Sequence, residues 1–426
     1  MVQDIYISLA WPFDFSLIRV GFAYNRQEIS INRVTFPTWR GLQEQDGRTG
    51  QGSPAGVGRR PFQASGKMSM TEQARIEEAY GKLRKKLARV VPDAELRLKA
   101  ELVAEIEQLK EERGALVLGH NYMEPALFHS VPDITGDSLE LSRVAAEAGE
   151  EVIVFCGVVF MAETAKILAP EKTVLIPSLD AGCSLAESIT AEDVRELRRR
   201  YPGVPVVTYV NSYADVKAES DICCTSGNAV EVIESLGDGP VIFLPDEYLA
   251  KNTARETGRR IIFPHRGPRA EAARDEQLEY AMVGWSGRCE VHEQFTVQDI
   301  EDARKQFPGV LVLAHPECSP EVVEAADFSG STKAMIDQVR ETGAEQYLLL
   351  TECAMGDNVA AENPDKEMLR LCSVRCPHMN QITLEQTRDA LRLMQHRIEL
   401  SGETINRARR AVQRMIEIGR PAAVSA

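Results

Sequence analysis

The chain has 426 residues, 44% of them hydrophobic and 27% charged, with a net charge of −15. That acidic balance excludes a broad phosphate-backbone surface, and no apolar run of about eighteen residues reads as a membrane span. Nine cysteines, an odd number scattered over a long chain, exclude a small disulfide scaffold and suit the reducing cytosol. No secretory signal is read at the start, so the expected location is cytoplasmic, with neither nucleic acid nor membrane as partner.

Residues 1–70 stand apart. They carry eight Lys/Arg against five Asp/Glu, a net +3 that leaves −18 for residues 71–426. The stretch "DGRTGQGSPAGVGRRP" (46–61) is rich in Gly, Arg and Ser and reads as unstructured. The segment is expected to be a disordered extension outside the catalytic fold. From 71 to 112, apolar residues recur at three- and four-residue steps in Glu/Lys/Arg-rich text, which predicts amphipathic helices. Residues 381–420 read the same way, and 381–426 is expected to pack on the domains as C-terminal helices.

Three segments between these helices resemble one another: "ALVLGHNYMEPALFHSVPDITGDSLELSRVAA" (115–146), "VPVVTYVNSYADVKAESDICCTSGNAVEVIES" (204–235) and "GVLVLAHPECSPEVVEAADFSGSTKAMIDQVR" (309–340). Each opens with an apolar run ending in a polar cluster, then crosses to a small-residue turn and a helix. A second apolar run follows in each, at 151–158, 239–246 and 345–352. Apolar runs alternating with helices predict an α/β fold with parallel sheets. The period implies three small three-layer α/β domains about a pseudo-threefold axis. Their expected spans are 71–198, 199–300 and 301–380.

In such sheets ligands bind beyond the carboxyl ends of the strands. That end holds His120, Tyr122, Tyr209, Asn211, His315 and Glu317 in the polar clusters. It also holds Ser138, Ser226, Ser331 and Thr332 at or near helix starts, where free N–H groups and the helix dipole favour phosphate or carboxylate. N-capping alone would explain any one of these residues; their recurrence in three segments favours anion binding.

Each unit runs on to a cysteine after small or polar residues: Cys183 in "DAGCSLAES", Cys289 in "GWSGRCEVHE" and Cys376 in "SVRCPHMN". Threefold symmetry would bring the three sulfurs together. Three thiolates on one side of a soft metal centre point to a [4Fe–4S] cluster with one iron free of protein ligands. A zinc site adding His292 or His378 is the competing reading, for a hydrolase or aldolase, and a redox sensor is a third. Cys156 reads as a core residue, and Cys372 is open between ligand, resolving thiol and inert residue.

These motifs resemble quinolinate synthase, an iron–sulfur enzyme family of de novo NAD biosynthesis. The matching text includes "GHNYMEP", "GDSLELSR", "FMAETAKILAPEKTVLIPSLDAGCSLAES", "TYVNSYADVKAESDICCTSGNA", "GRCEVHEQF", "AHPECSPEV" and "GSTKAMI", and the likeness covers residues 75–400 in order. It implies condensation of iminoaspartate with dihydroxyacetone phosphate to quinolinate, with loss of phosphate and water. It places a [4Fe–4S] cluster on Cys183, Cys289 and Cys376. It implies Glu317 as general acid and base, Tyr122 as an aid to proton transfer, and Tyr209 and Asn211 as positioning the intermediate. His120 and Ser138 would hold carboxylates, and Ser226, His315, Ser331 and Thr332 the phosphate, or the carboxylates once phosphate has left. His292 is read either as a hydrogen-bonding residue of the site or as structural, Met379 and Asn380 as pocket wall, and His378 as a bystander. L-aspartate oxidase is the expected source of iminoaspartate, and a second copy of the chain is a candidate partner. Residues 256–283 look longer than in compact relatives and are expected to form a surface excursion with no catalytic role.

Overall fold

The described residues of this computed structural model are 5–6, 19–20, 70–264, 281–369, 371 and 374–418. Met1–Gly66 is one unit, whose described part is the antiparallel pair β1 (Ile5–Tyr6) and β2 (Arg19–Val20). The rest of the disorder expectation for 1–70, and the question about Cys372, lie outside the described residues. Everything below belongs to the second unit, Lys67–Ala426.

The charged text from residue 71 folds as α1 (Met70–Leu87) and α2 (Asp93–Arg113), which pack together and bury Leu83, Leu87, Leu96, Val103 and Ile106. Gly114 ends α2 in the left-handed conformation, at φ 56°, with its N–H returned to the helix. A glycine takes that turn without a Cβ penalty, which delivers the chain directly into the first strand.

The first repeat comprises β3 (Ala115–His120), α3 (Pro125–Phe128), β4 (Ile134–Gly136), α4 (Ser138–Glu147), β5 (Val152–Cys156), α5 (Val159–Leu168) and β6 (Thr173–Leu175). After α6 (Ala191–Arg200), the second comprises β7 (Val206–Tyr209), α7 (Ala214–Ala218), β8 (Ile222–Cys224), α8 (Ala229–Glu234), β9 (Val241–Leu244), α9 (Glu247–Glu256), β10 (Arg260–Ile262) and β11 (Ala281–Val283). After α10 (Val297–Gln306), the third comprises β12 (Leu311–Ala314), α11 (Pro320–Ala325), β13 (Phe328–Ser329), α12 (Thr332–Glu341), β14 (Gln346–Leu350), α13 (Cys353–Glu362) and β15 (Glu367–Leu369). The chain closes with α14 (Leu384–Leu393), packed on α2, and α15 (Gly402–Glu417), packed on α5, α7 and β8.

All three sheets are parallel and share one strand order: β4-β3-β5-β6, β8-β7-β9-β11-β10 and β13-β12-β14-β15. The central strands are almost wholly buried because helices cover both faces, which explains their continuous apolar runs. In each sheet the chain steps to one side of its first strand and then to the other. A crevice therefore opens at the carboxyl ends of the first and third strands.

Two expectations need correction. Each sheet has a second, two- or three-residue edge strand (β4, β8, β13) where only a turn was expected; so short a strand shows no side-chain period. Residues 256–283 are not simply an excursion. Their two ends supply β10 and β11, and β11 pairs directly with β9, because "RII" and "AMV" complete the apolar edge of the second sheet. Residues 265–280 lie outside the described residues.

Candidate active site and metal centre

The first strand of each sheet aims a polar cluster at one cavity. In two of them the chain makes the same turn. His120 Nδ1 accepts the backbone N–H of Tyr122 at 3.2 Å, and His315 Nδ1 accepts that of Glu317 at 3.3 Å. With Nδ1 committed as acceptor, each neutral ring carries its hydrogen on Nε2. That of His315 donates to Ser226 Oγ at 3.2 Å. Burial pushes His120 down to about 4 and, with the neighbouring His292, His315 down to about 3, so both rings are neutral donors near pH 7.

Glu317 is the hub. Tyr209 donates to its Oε1 at 2.5 Å, with Asn211 Nδ2 at 3.4 Å from the same oxygen. His292 Nδ1 lies 2.8 Å from Oε2, and the His292 ring stacks on His315 with centroids 4.5 Å apart. Burial alone would raise the carboxyl; the His292 contact, the nearby His315 and the Tyr209 hydrogen bond outweigh it and hold Glu317 below the usual carboxylate range. Burial, and then the charge of Glu317, push Tyr122 and Tyr209 well above the ordinary phenol value. The result is an ionised base flanked by protonated phenols. His292 Nε2 and Tyr122 OH both meet Thr351 Oγ1, at 3.0 and 2.5 Å.

The three cysteines sit in one repeated device. Each is followed by a short 3₁₀ turn, at Ala186–Ser188, His292–Gln294 and Met379–Gln381. Each sulfur accepts backbone N–H groups from the second and third residues onward: Leu185 and Ala186, Val291 and His292, His378 and Met379. Each backbone carbonyl takes the N–H four residues on. Seven residues after each cysteine comes a threonine, Thr190, Thr296 or Thr383, that caps a ten-residue helix through a reciprocal capping box. The pattern C-x6-T-x2-[D/Q] is legible in the sequence. It separates Cys183, Cys289 and Cys376 from the other cysteines. Burial pushes the Cys183 thiol up to about 12 and that of Cys376 up to about 11, and raises Cys289 well above its usual value. Thiolates there call for a cation, and the N–H cradles match donors to metal-bound sulfur. Both ring nitrogens of His292 are engaged, and its Nδ1 is 3.2 Å from Cys289 Sγ.

In the remaining wall, hydroxyls stand at helix starts. Ser138 and Thr332 occupy the first turns of α4 and α12, and Asn121 Nδ2 donates to Thr332 Oγ1 at 2.9 Å. Among the lining residues there is no lysine or arginine. Helix N-termini and neutral histidine donors are therefore the groups in this wall that can meet negative charge.

The cavity is lined by His120, Tyr122, Ser138, Tyr209, Asn211, Ser226, His292, His315, Glu317, Thr332, Met379 and the three cysteines. Ser331 is not in the wall. It caps α12 and donates to Asp137 Oδ2 at 3.2 Å, while Asp137 itself lines the cavity. Asn380 is exposed, because the 3₁₀ turn points Met379 inward and its neighbour outward. His378 is more than a bystander: it lines the rim, with Nε2 3.0 Å from Glu290 Oε1. Sequence reasoning missed Asp137, whose place before "SLE" marks it as a cap, and Thr351, which closes the apolar run of β14.

The match to known proteins agrees with this geometry. The family model described as "Quinolinate synthetase A protein" matches residues 104–417. The quinolinate synthase of Agrobacterium fabrum is 54% identical over 333 residues, 78% of this chain and 90% of that protein. Quinolinate synthase 1 of Mesorhizobium japonicum is 53% identical, covering 78% of this chain and 95% of its own. The quinolinate synthase of Caulobacter vibrioides is 50% identical over 351 residues, 82% of this chain and 90% of its own. By its sheets, its cysteines and these matches, the chain belongs to the quinolinate synthetase A family.

Proposed function

We propose that this chain is a quinolinate synthase, joining iminoaspartate to dihydroxyacetone phosphate and closing the pyridine ring with loss of phosphate and water. The observation that carries the reading is the convergence, in one cavity, of three identically cradled cysteines with the Glu317 network. In this reading the cavity lies at the junction of domains 71–198, 199–300 and 301–380.

Cys183, Cys289 and Cys376 would hold a [4Fe–4S] cluster, since the three-cysteine set lacks a fourth equivalent. When bound, such a centre offers an open iron as Lewis acid to the hydroxyl lost in the final dehydration. The chain's own residues do the rest. Glu317 is ionised and buried, suited to take a proton from the condensing carbon skeleton and return it to a leaving group. Tyr209 and His292 hold its two oxygens in place, and Asn211 and Tyr209 position the intermediate. His120 and Ser138 would bind carboxylates; Ser226, His315 and Thr332 would bind phosphate, with Ser331 acting only through Asp137. Val158, Phe160, Met161 and Met379 give the apolar wall that keeps water from the reacting atoms. No helix among the described residues is long and apolar enough to cross a membrane. A cytoplasmic enzyme fed by L-aspartate oxidase, and a homodimeric state, remain part of the proposal.

The test is anaerobic conversion of dihydroxyacetone phosphate and freshly generated iminoaspartate by reconstituted protein, with quinolinate measured directly. A brown protein with about four irons that forms quinolinate supports the reading. A fully loaded protein that forms none overturns it, and a colourless protein holding one zinc overturns the cluster.

A further inference from the structure

We infer that Asn252 and Asn358 are positioning residues of this active site, each giving both hydrogens of its amide nitrogen to the carbonyls on either side of a functional side chain. Asn252 spans Glu317, and Asn358 spans Tyr122. The inference rests on the function proposed above and adds to it two residues outside the cavity wall.

The two asparagines hold the same place in the fold. Asn252 is the sixth residue of α9 and Asn358 the sixth of α13, ten-residue helices that follow the third strands of the second and third sheets. Both are buried, at 1% and 3% exposure, and neither lines the cavity. Asn252 Nδ2 donates to Pro316 O at 2.9 Å and to Cys318 O at 3.0 Å. Asn358 Nδ2 donates to Asn121 O at 3.1 Å and to Met123 O at 2.9 Å. Carbonyl oxygens only accept, so the nitrogen end of each amide must face them. In both cases the helix belongs to one repeat and the turn to another. The second repeat grips the third, and the third grips the first.

The gripped turns are the two built alike. In each, a histidine Nδ1 takes the N–H two residues on, and the histidine carbonyl takes the N–H three residues on. Those bonds close the turn upon itself and leave its tilt on the neighbouring sheet to other contacts. The asparagine supplies them. Its two hydrogens diverge from one atom and hold two peptide planes at once: the plane entering Tyr122 or Glu317, and the plane leaving the next residue. The direction of the side chain between those planes is thereby fixed from across the repeat boundary. Misplacing a reacting group by about 1 Å can cost about 100-fold in rate.

The helix after the third strand of the first sheet lacks this reach. Its sixth residue is Thr164, 1% exposed, whose Oγ1 donates back to Phe160 O of the same helix at 2.7 Å. The turn of the second repeat is secured by other groups. Lys217 Nζ donates to Ser212 O, the carbonyl after Asn211, and Glu163 Oε2 accepts the Ala214 N–H at 2.9 Å. Thr164 therefore has the fold position and burial of the asparagines without their grip on a neighbouring turn, which makes it the control.

The experiment uses the full-length, anaerobically reconstituted protein with Asn252→Leu, Asn358→Leu and Thr164→Val. Leucine keeps the branched outline of asparagine and has no hydrogen to donate. Rates are normalised to iron content and taken well below each unfolding temperature. Each leucine variant is expected to lower kcat about 10- to 100-fold with KM changed less than about twofold. Thr164→Val also loses a buried hydrogen bond; it is expected to lower the unfolding temperature and to keep kcat within about twofold of wild type. Should a leucine variant fail to fold or load iron, alanine replaces leucine there with the same readouts. Failure of both substitutions at one position overturns the inference for that residue, which is then needed for the architecture itself. Asparagine variants within about threefold of wild type, a loss confined to KM, or a kcat loss in Thr164→Val equal to theirs overturns the inference. A wild type that makes no quinolinate overturns the functional reading and this inference with it; a productive wild type beside undisturbed asparagine variants overturns this inference alone.

Discussion

Glu317 is 3% exposed, in surroundings that by themselves disfavour a charge. It stays ionised because two donors from other parts of the chain, Tyr209 and His292, reach its two oxygens. Glu317→Gln keeps the shape and removes the base, so quinolinate formation should fall by about 100-fold or more while iron content is unchanged; loss of iron in that variant would show a structural role instead. The cysteines differ from one another at the same scale. Cys376 has the N–H groups of His378 and Met379 around its sulfur, the arrangement shared by Cys183 and Cys289. Cys376→Ala should abolish the broad absorbance near 400 nm, and Cys372→Ala should retain it. Equal loss in both would mean that Cys372 is also needed to hold the centre.

At the scale of elements, the cysteine turns are held by what surrounds them. Each cysteine turn hands over to a capped helix, and the cap fixes where the turn ends. Thr296 both accepts the Asp299 N–H and donates to the Asp299 carboxylate. Thr296→Ala should cost about 1 kcal/mol in urea unfolding; no loss would indicate that the box adds nothing to the turn. Two residues before Cys289, Gly287 lies against the Pro245 carbonyl, and a Cβ there would stand 2.6 Å from that oxygen. A backbone atom cannot swing aside as a side-chain tip can. Gly287→Ala should therefore destabilise by about 1–3 kcal/mol and lower iron loading, since it displaces the strand-like bridge of Asp246 with Gly287 that anchors the Cys289 turn. Full iron content with an unchanged unfolding midpoint would refute this.

At the scale of the molecule, the buried rings of His120 and His315 and the half-buried ring of His129 are held neutral in the space between packed elements. Burial pushes His129 down to about 4 from its ordinary 6.5, alongside His120 at about 4 and His315 at about 3. Between pH 6.5 and 4 the unfolded chain binds protons that the folded chain does not. Stability from these rings is complete above that window and falls as pH drops through it. His129 is remote from the cavity wall, so it tests the linkage cleanly. His129→Gln should make the fall of the urea midpoint between pH 6.5 and 4 shallower than in wild type. Parallel curves would show that this ring does not titrate with unfolding.

The repeats, the parallel sheets and the recurrence of Cys183, Cys289 and Cys376 were legible because each rests on a local rule repeated three times: an apolar run before a polar cluster, a small-residue turn before a helix, and one cysteine per period. His120, Glu317 and Thr332 were legible for the same reason, as strand ends and helix starts are local features. What the sequence could not decide is where side chains from different repeats meet. Ser331 and Thr332 are neighbours with similar hydroxyls, yet only packing against Asp137 and Asn121 turns one out of the cavity wall and sets the other in it. His378 lines the cavity and Asn380 is exposed because the short 3₁₀ turn of Met379–Gln381 carries Met379 inward and its neighbour outward. Thr351 has no motif at all, and the two side chains it meets, Tyr122 and His292, lie 229 and 59 positions away. Local chemistry thus determined which residue types stand at the site, while tertiary packing decided which atoms share a hydrogen, because only burial from three sides removes the water that would otherwise satisfy each group separately.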